Sequence, residues 1–201
     1  MARIKSTENN SKREVIIKEA SKLFKEKGFN ATSMRDLADS VGVEAPSLYN
    51  HIQSKSELLK IICSNVGEKF AAKIAEVEAT KIPAIEKVEK LLRFHIHEMI
   101  NYYEDEYVSG HEWRYLKDPF LSEYREQRRN YRKRFTAIIQ QGIDQNEIKE
   151  IDANTAVLIL LNAITSIDQW HRIVHKVSSN ELEENIITIL IEGLRSNPSK
   201  S

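Results

Sequence analysis

The segment from Thr32 to Leu59, TSMRDLADSVGVEAPSLYNHIQSKSELL, constrains the chain most, because two helix starts and a tight turn follow one another closely within it. Ser33 and Asp36 have the spacing of a capping box, in which each side chain bonds a backbone N–H of the first helical turn. Gly42 supplies a left-handed turn, and Pro46 suits the first turn of the next helix. The pattern predicts a helix-turn-helix, a motif that places its second helix in the major groove of DNA.

The remainder of the chain is predicted to be helical as well. Hydrophobic residues make up 41% of the 201 positions and recur at three- and four-residue steps, while glycine occurs six times and proline four times. These features predict an all-α fold with about nine helices and no strand. We expect residues 1–10 to form an irregular arm. Further helix starts are predicted at Ser11, Ser54, Pro83, Ser109, Pro119, Asp152 and Ser178, helix ends at Gly28 and Gly142, and a frayed tail at Pro198.

Several classes of function leave no signature in the sequence. Cys63 is the single cysteine, and the longest apolar run, residues 156–161, is too short to span a bilayer, so we expect a cytoplasmic protein without membrane association. Motifs for catalysis or cofactor binding are lacking, which favours a non-enzymatic protein without a cofactor. Asp168, His171 and His175 share one helical face at metal-ligand spacing, but histidines near a helix end are more often surface groups, and no metal site is predicted.

Charge is distributed unevenly along a chain whose formal net charge is zero. Residues 1–55 carry ten basic and seven acidic residues, a net charge of +3, and the remainder carries −3. Partner choice depends on this distribution rather than on the total. The basic N-terminal part agrees with contacts to nucleic-acid phosphates.

The helix-turn-helix segment and its flanks also resemble the N-terminal signature of the tetracycline-repressor (TetR) family. The residues that carry the resemblance are Gly28-Phe29, Thr32-Ser33, Arg35-Asp36-Leu37-Ala38, Val41-Gly42-Val43, Ser47-Leu48-Tyr49, His51, Ser54-Lys55 and Glu57-Leu58-Leu59. Glu44 and Ile52 depart from the usual residues at their positions. The resemblance implies a homodimer with a three-helix DNA-binding head at residues 1–55 and a ligand-binding and dimerisation domain at residues 56–201.

The same resemblance implies which residues of the head contact an operator in double-stranded DNA. Thr32, Tyr49, His51 and Lys55 match positions that hold the phosphate backbone. Positions nearer the base edges are occupied by Arg35, Ala45, Pro46, Ser47 and Asn50, and Ser33 completes the expected set. For Tyr49 an alternative is packing inside the small head, because tyrosine often serves both purposes.

The C-terminal part shows a weaker resemblance to TetR regulators that sense acyl-CoA thioesters, carried by REQRRNYRKRF, DQWHR and EGL. The resemblance implies that an acyl chain lies among apolar side chains and that arginines bind the phosphates of CoA. The expected ligand-binding residues are Leu92, His95, Met99, Trp113, Arg128, Tyr131, Arg132 and Trp170.

Arg128 lies at helical spacing from Tyr124 and Tyr131 and is expected to point inward. An inward arginine needs an anion, either a ligand carboxylate or phosphate, or an internal acid such as Glu98, Glu112 or Asp168.

Dimerisation is expected from the last two helices. The helix around residues 156–170 is apolar nearly all round, and the final helix carries a stripe from Leu182 to Leu194. The expected interface residues are Leu161, Ile164, Ile186, Ile189 and Leu190.

Together these expectations describe a ligand-responsive transcriptional regulator that binds a palindromic operator as a homodimer and is released by a small-molecule inducer. Two alternatives remain open at this stage. One is a repressor of an efflux gene with a hydrophobic, drug-like inducer, and the other is a DNA-binding dimer without a small-molecule signal.

Overall fold

The computed structural model describes residues 2–173 and 177–195, with side chains from residue 12 onward. His175 and Pro198, named above, lie outside these ranges. Within the described residues the protein is all-α, as predicted, and its only β-type pairing is an isolated antiparallel bridge between Ile148 and Arg195. The helices are α1 (Ala2–Lys27), α2 (Met34–Val41), α3 (Ala45–Tyr49), α4 (Lys55–Glu78), α5 (Ala84–Asn101), α6 (Tyr103–His111), a 3-10 turn (Trp113–Tyr115), α7 (Phe120–Asp144), α8 (Ala153–Thr165), α9 (Ile167–Trp170) and α10 (Ser179–Leu194).

The helix boundaries follow the local chemistry at several predicted points. Gly28 and Gly42 adopt φ values of 82° and 75°, which end α1 and α2 in the left-handed region that glycine tolerates best. At the other ends, the side chains of Asp152 and Ser178 accept hydrogen bonds from the backbone N–H groups of Thr155 and Glu181. These contacts satisfy donors that have no partner inside a helix.

The chain divides into two compact units. The first comprises the residues up to Glu68 together with Glu104–Arg125, and its core is built from α1 to α4 with residues of α6 and early α7. Phe24, Leu37 and Leu48 are fully buried in this core. The predicted functional boundary at residue 55 is not tested by this packing and stays a prediction.

The second unit comprises Lys69–Tyr103 and the residues from Glu126 onward. Helix α5 packs against α8, α9 and α10, and the core includes Leu92, Ile96 and Phe135, all without solvent exposure. On the surface Arg93 binds Glu183 and Glu184 of α10 at 2.9 and 2.7 Å, which holds α10 in register with α5.

Four local expectations were wrong. Helix α1 begins at Ala2 rather than Ser11; residues 6–11 are mostly weak helix formers, but no glycine or proline interrupts the chain before Gly28. Ser109 lies inside α6 and donates to the carbonyl of Glu106, so it starts no helix. The apolar helix from Asp152 ends at Thr165, where the hydroxyls of Thr165 and Ser166 donate to backbone carbonyls three residues earlier and compete with the helical bonds.

Gly142, the fourth, lies inside α7 instead of ending it. A Cβ built on this glycine would lie 2.6 Å from Cδ1 of Ile148 and 3.1 Å from Cβ of Ala84. The Ile148 side chain would have to shift to admit a Cβ at this position.

Candidate nucleic-acid interface and ligand-binding region

The helix-turn-helix has the geometry that its sequence predicts. Ser33 caps α2 and forms a complete capping box with Asp36, and the Lys27 ammonium together with Ser33 holds the pKa of the Asp36 carboxyl well below its usual range. Gly42 turns the chain, and Pro46 lies in the first turn of α3. The Glu44 side chain makes no capping bond, so α3 depends on packing of Leu48, which is fully buried.

Most of the residues expected near base edges are accessible. Ser33, Arg35, Pro46 and Asn50 are exposed, and Ala45 and Ser47 are partly exposed. Tyr49 is 53% exposed on α3, which argues against packing inside the head as its main role. The structure therefore brings these side chains to the accessible surface of one motif, where a duplex can reach them.

Two of the four expected phosphate contacts are instead engaged inside the protein. Thr32 is 3% exposed, and its hydroxyl lies 2.9 Å from the carbonyl oxygen of Gly28 and 3.3 Å from that of Leu23. The Lys55 ammonium donates to the carbonyls of Phe29, Asn30 and Thr32 at 2.8, 3.1 and 3.0 Å. The expectation that these two side chains face phosphate is not supported, because local backbone groups already use their donors.

His51 is partly buried at the end of the same motif. Its Nδ1 atom is buried and has no hydrogen-bond partner within the described part of the chain. A contact between His51 and DNA stays a prediction.

In the second unit, four aromatic rings of α4, α5 and α7 pack together, and two of them form a polar contact. Nε2 of His95 lies 2.7 Å from the hydroxyl of Tyr131, and the ring of Phe70 lies 4.6 Å from that of His95 and 5.0 Å from that of Phe94. Burial lowers the pKa of His95 to about 3, so the imidazole is neutral at physiological pH. The arrangement provides an uncharged donor–acceptor pair in apolar surroundings.

Leu92 and Met99, also expected at a ligand site, lie on α5 with His95 and belong to or pack against the same core. Sequence reasoning had not assigned Phe70 and Phe94 to the ligand region. Phe70 was recognisable only as part of an apolar stripe on α4.

A second polar group in this unit lies around Tyr103. Its ring stacks on His171 with centroids 4.0 Å apart, and its hydroxyl donates to Asp168, which also binds Arg172. Burial and the Asp168 carboxylate raise the pKa of Tyr103 to about 12. Nε2 of His171 lies 2.8 Å from the Met99 carbonyl and can only donate to it. Asp168 and His171 thus have structural partners.

Trp170 and Trp113, both expected at the ligand, are placed differently. Trp170 packs against the core of the second unit, and its indole N–H donates to the carbonyl of Val177 at 3.2 Å. Trp113 lies in the first unit, where its ring packs near Tyr124 at 6.2 Å. Trp113 therefore belongs to the core of the first unit, whereas the other expected ligand residues lie in the second.

Arg128 and Arg132 are exposed on α7, so the expectation of an inward Arg128 was wrong. A long side chain at the margin of an apolar stripe can extend its charged end into solvent. The three acids considered as its partners have other contacts: Glu98 binds Lys69 at 2.9 Å, Glu112 accepts the N–H of Phe29 at 3.0 Å, and Asp168 binds Tyr103 and Arg172. A ligand contact by Arg128 or Arg132 stays a prediction.

The expected dimer helices each keep an apolar outer face. Leu158 and Ile159 of α8 are 59% and 57% exposed, and Ile189 of α10 is 71% exposed. Leu161, Ile186 and Leu190 are partly buried, whereas Ile164 is buried in its own subunit and has no free surface for a partner. Ile187, Ile191 and Leu194 are the buried residues of α10. Sequence reasoning placed Leu194 on the apolar stripe but missed Ile187 and Ile191, and it also missed Leu158 and Ile159 at the surface.

In the described ranges no helix is long and apolar enough to cross a membrane. The comparisons with known proteins agree with the fold. The chain is 22% identical to the HTH-type transcriptional repressor KstR2 of Mycobacterium tuberculosis over 92% of its length and 94% of that protein. The solved structure of the ketosteroid transcriptional regulator KstR2 of M. tuberculosis superposes with a TM-score of 0.86 at 20% identity, covering 94% of this chain and 97% of that one.

A second solved structure, AibR in complex with isovaleryl coenzyme A and operator DNA, has a TM-score of 0.78 at 19% identity and covers 90% of this chain and 98% of that one. Residues 16–62 match the bacterial regulatory proteins of the tetR family, and residues 81–194 match the tetracyclin repressor-like C-terminal domain. The C-terminal match alone covers more than half of the chain, and the protein therefore belongs to the TetR family of transcriptional regulators.

Proposed function

We propose that the protein represses transcription as a homodimer on a palindromic operator, and that a CoA thioester bound in the second unit releases it. The chemistry of the second unit supports this kind of ligand. The alternatives are a hydrophobic, drug-like inducer and no small-molecule signal.

The observation that carries the proposal is the two-sided character of α7. Tyr131 and Phe135 face the core, while Arg128 and Arg132, one helical turn apart, are exposed. An acyl-CoA has the same two parts, an uncharged acyl thioester and an anionic, phosphate-bearing nucleotide. Arginine suits the phosphates because its planar guanidinium donates in pairs.

The interior contacts support an uncharged acyl group. The neutral His95–Tyr131 pair offers hydrogen bonds to a carbonyl or hydroxyl oxygen, and the rings around it offer apolar contact. A free carboxylate would be a poor occupant, since no positive charge on His95 would balance it. AibR, which shares this fold, was solved with a CoA thioester bound, and this supports the ligand class.

The exposed apolar faces of α8 and α10 support the homodimer. Two copies of this surface related by a two-fold axis would bury Leu158, Ile159 and Ile189 against each other, with Leu161, Ile186 and Leu190 at the edges. A dimer presents two recognition helices and therefore reads a palindrome.

The test begins with an operator selected from a randomised DNA library with the purified protein. Displacement from this operator is then measured with an acyl-CoA series, CoA alone, the free acids and a lipophilic cation. We expect the thioesters to release DNA and the others to act weakly or not at all. Release by the lipophilic cation alone would favour the efflux-type alternative, and no release by any compound would contradict the ligand assignment.

A paired variant tests the arginines. Arg128→Ala combined with Arg132→Ala should weaken acyl-CoA binding at least about tenfold, the value of one charge-assisted hydrogen bond, while operator affinity is retained. Lys90→Ala removes an exposed charge from α5 and is the matched control. Equal calorimetric affinities for the double variant and the control would contradict the proposed phosphate contacts.

A further inference from the structure

In the turn between α1 and α2, side chains bond several of the backbone carbonyls. Because Gly28 reverses the chain at φ 82°, the carbonyls of Phe29, Asn30 and Thr32 cannot enter a regular helical ladder. Buried or partly buried carbonyls need donors. The Lys55 ammonium provides them, and the Thr32 hydroxyl bonds carbonyls just before the turn. Lys55 and Thr32 are two of the four residues expected at the DNA phosphates.

Lys55, the first residue of α4, uses all of its donor capacity in this turn. An ammonium has three N–H groups, and the three carbonyls lie 2.8 to 3.1 Å from Nζ. The ammonium also lies 4.6 Å from the centre of the Phe29 ring, a cation–π contact that fixes its position further. A phosphate oxygen would have to displace one of these carbonyls.

Thr32 completes the turn from the other side. Its hydroxyl lies within hydrogen-bond distance of the carbonyl of Leu23, in α1, and of that of Gly28, which follows α1. The N–H of Phe29 in turn donates to Glu112 at 3.0 Å. The turn is thus connected to the start of α4 and to the segment after α6, all within the first unit.

We propose that Lys55 is a positioning residue for DNA recognition rather than a phosphate contact. It ties the start of α4 to the turn that leads directly into Ser33 and α2, and so determines where Arg35 and the recognition helix α3 stand. The inference rests on the proposed binding of an operator. It adds that loss of Lys55 weakens binding to the specific operator sequence and leaves the electrostatic attraction to DNA phosphates unchanged.

The two roles predict different salt dependence. Each phosphate contact contributes a slope of about 0.9 in the plot of log affinity against log salt concentration. A Lys55→Met variant should keep the slope of the unmodified protein on the selected operator but bind that operator about tenfold more weakly, the value of one displaced base contact. Its affinity for a random duplex of equal length should match that of Lys18→Met, a control on the exposed face of α1.

Lys55→Arg keeps the charge and tests geometry alone. A planar guanidinium does not fit three carbonyls that converge on one point beside the Phe29 ring, so operator affinity should remain reduced. If Lys55→Arg restores full affinity, or if Lys55→Met lowers the slope by about 0.9, Lys55 contacts phosphate and the inference is overturned.

The outcomes separate this inference from the proposed function. Thermal melting establishes that each variant is folded at the assay temperature, and if Lys55→Met does not fold, Lys55→Arg decides the question by itself. A protein that prefers no selected sequence over a random duplex would refute operator binding as such. Specific binding with a reduced slope would refute only the role of Lys55.

Discussion

The apolar outer face of α10 leads to a sharp prediction about assembly. Ile189 is 71% exposed, while Ile187 and Ile191 of the same helix are buried in the core. An isoleucine on the face opposite the core gains nothing from the fold of its own subunit. Replacing it by glutamate should therefore leave the subunit folded and change only what binds to this face.

The size of the effect follows from burial. Covering an isoleucine side chain stabilises by roughly 2 kcal/mol, and two-fold symmetry counts it twice, about 4 kcal/mol for the dimer. This loss alone raises the dissociation constant of the dimer about a thousandfold, since every 1.4 kcal/mol is a factor of about ten. The desolvation of two glutamates adds to it.

Size-exclusion chromatography with light scattering measures the outcome over a range of protein concentrations. Ile189→Glu should give the mass of one chain at micromolar concentration and should bind the selected operator much more weakly than the unmodified dimer. Thr188→Glu places the same charge on the polar face of α10 that carries Glu184 and Glu192, and it should remain dimeric. A dimer of unchanged affinity with Ile189→Glu would refute the assignment of α10 to the interface.

Two further predictions concern stability, both measured by denaturant unfolding. Because the folded pKa of His95 is lowered to about 3 from 6.5, only the unfolded chain takes up this proton between those values. The free energy of unfolding should therefore fall on this account as the pH is lowered from 6.5 to about 3, by at most about 1.4 kcal/mol per pH unit. His95→Gln should remove that part of the pH dependence, and an unchanged dependence would contradict the neutral imidazole. Gly142→Ala should destabilise, because crowding of Ile148 costs about 1–3 kcal/mol against a helix-propensity gain of about 1 kcal/mol. Gly110→Ala, whose new Cβ meets nothing within 4 Å, should stabilise, and equal effects of the two would contradict this reasoning.

The sequence predicted the fold class and the helix-turn-helix well, because both depend on local chemistry. Capping residues at Ser33 and Asp152 and left-handed glycines at Gly28 and Gly42 act within a few residues of themselves, so their effect is readable from spacing. Gly142 shows the opposite case. Its place inside α7 depends on Ile148 and Ala84, and nothing in the neighbouring residues indicates that contact.

The sequence was less informative about which face of an apolar helix is buried. The final helix carries seven large apolar residues between Leu182 and Leu194, and their spacing does not decide whether Ile189 faces the core or solvent. Only packing against α5 decides that Ile187 and Ile191 are the buried residues. The predicted inward orientation of Arg128 was wrong for a related reason. Arg128 borders the apolar stripe of α7, and its side chain is long enough for the charge to reach water.

The placement of Lys55 has a consequence for how the head recognises DNA. Between Gly28 and Ser54 the chain contains one basic residue, Arg35, so with Lys55 engaged by carbonyls the motif itself contributes little electrostatic attraction. The motif itself then contributes mainly through hydrogen bonds and close contact of exposed groups such as Tyr49 and Asn50, interactions that depend steeply on distance and direction. A motif with few charges tolerates little misplacement, and this gives a physical reason for using a lysine to hold the turn before α2 in place.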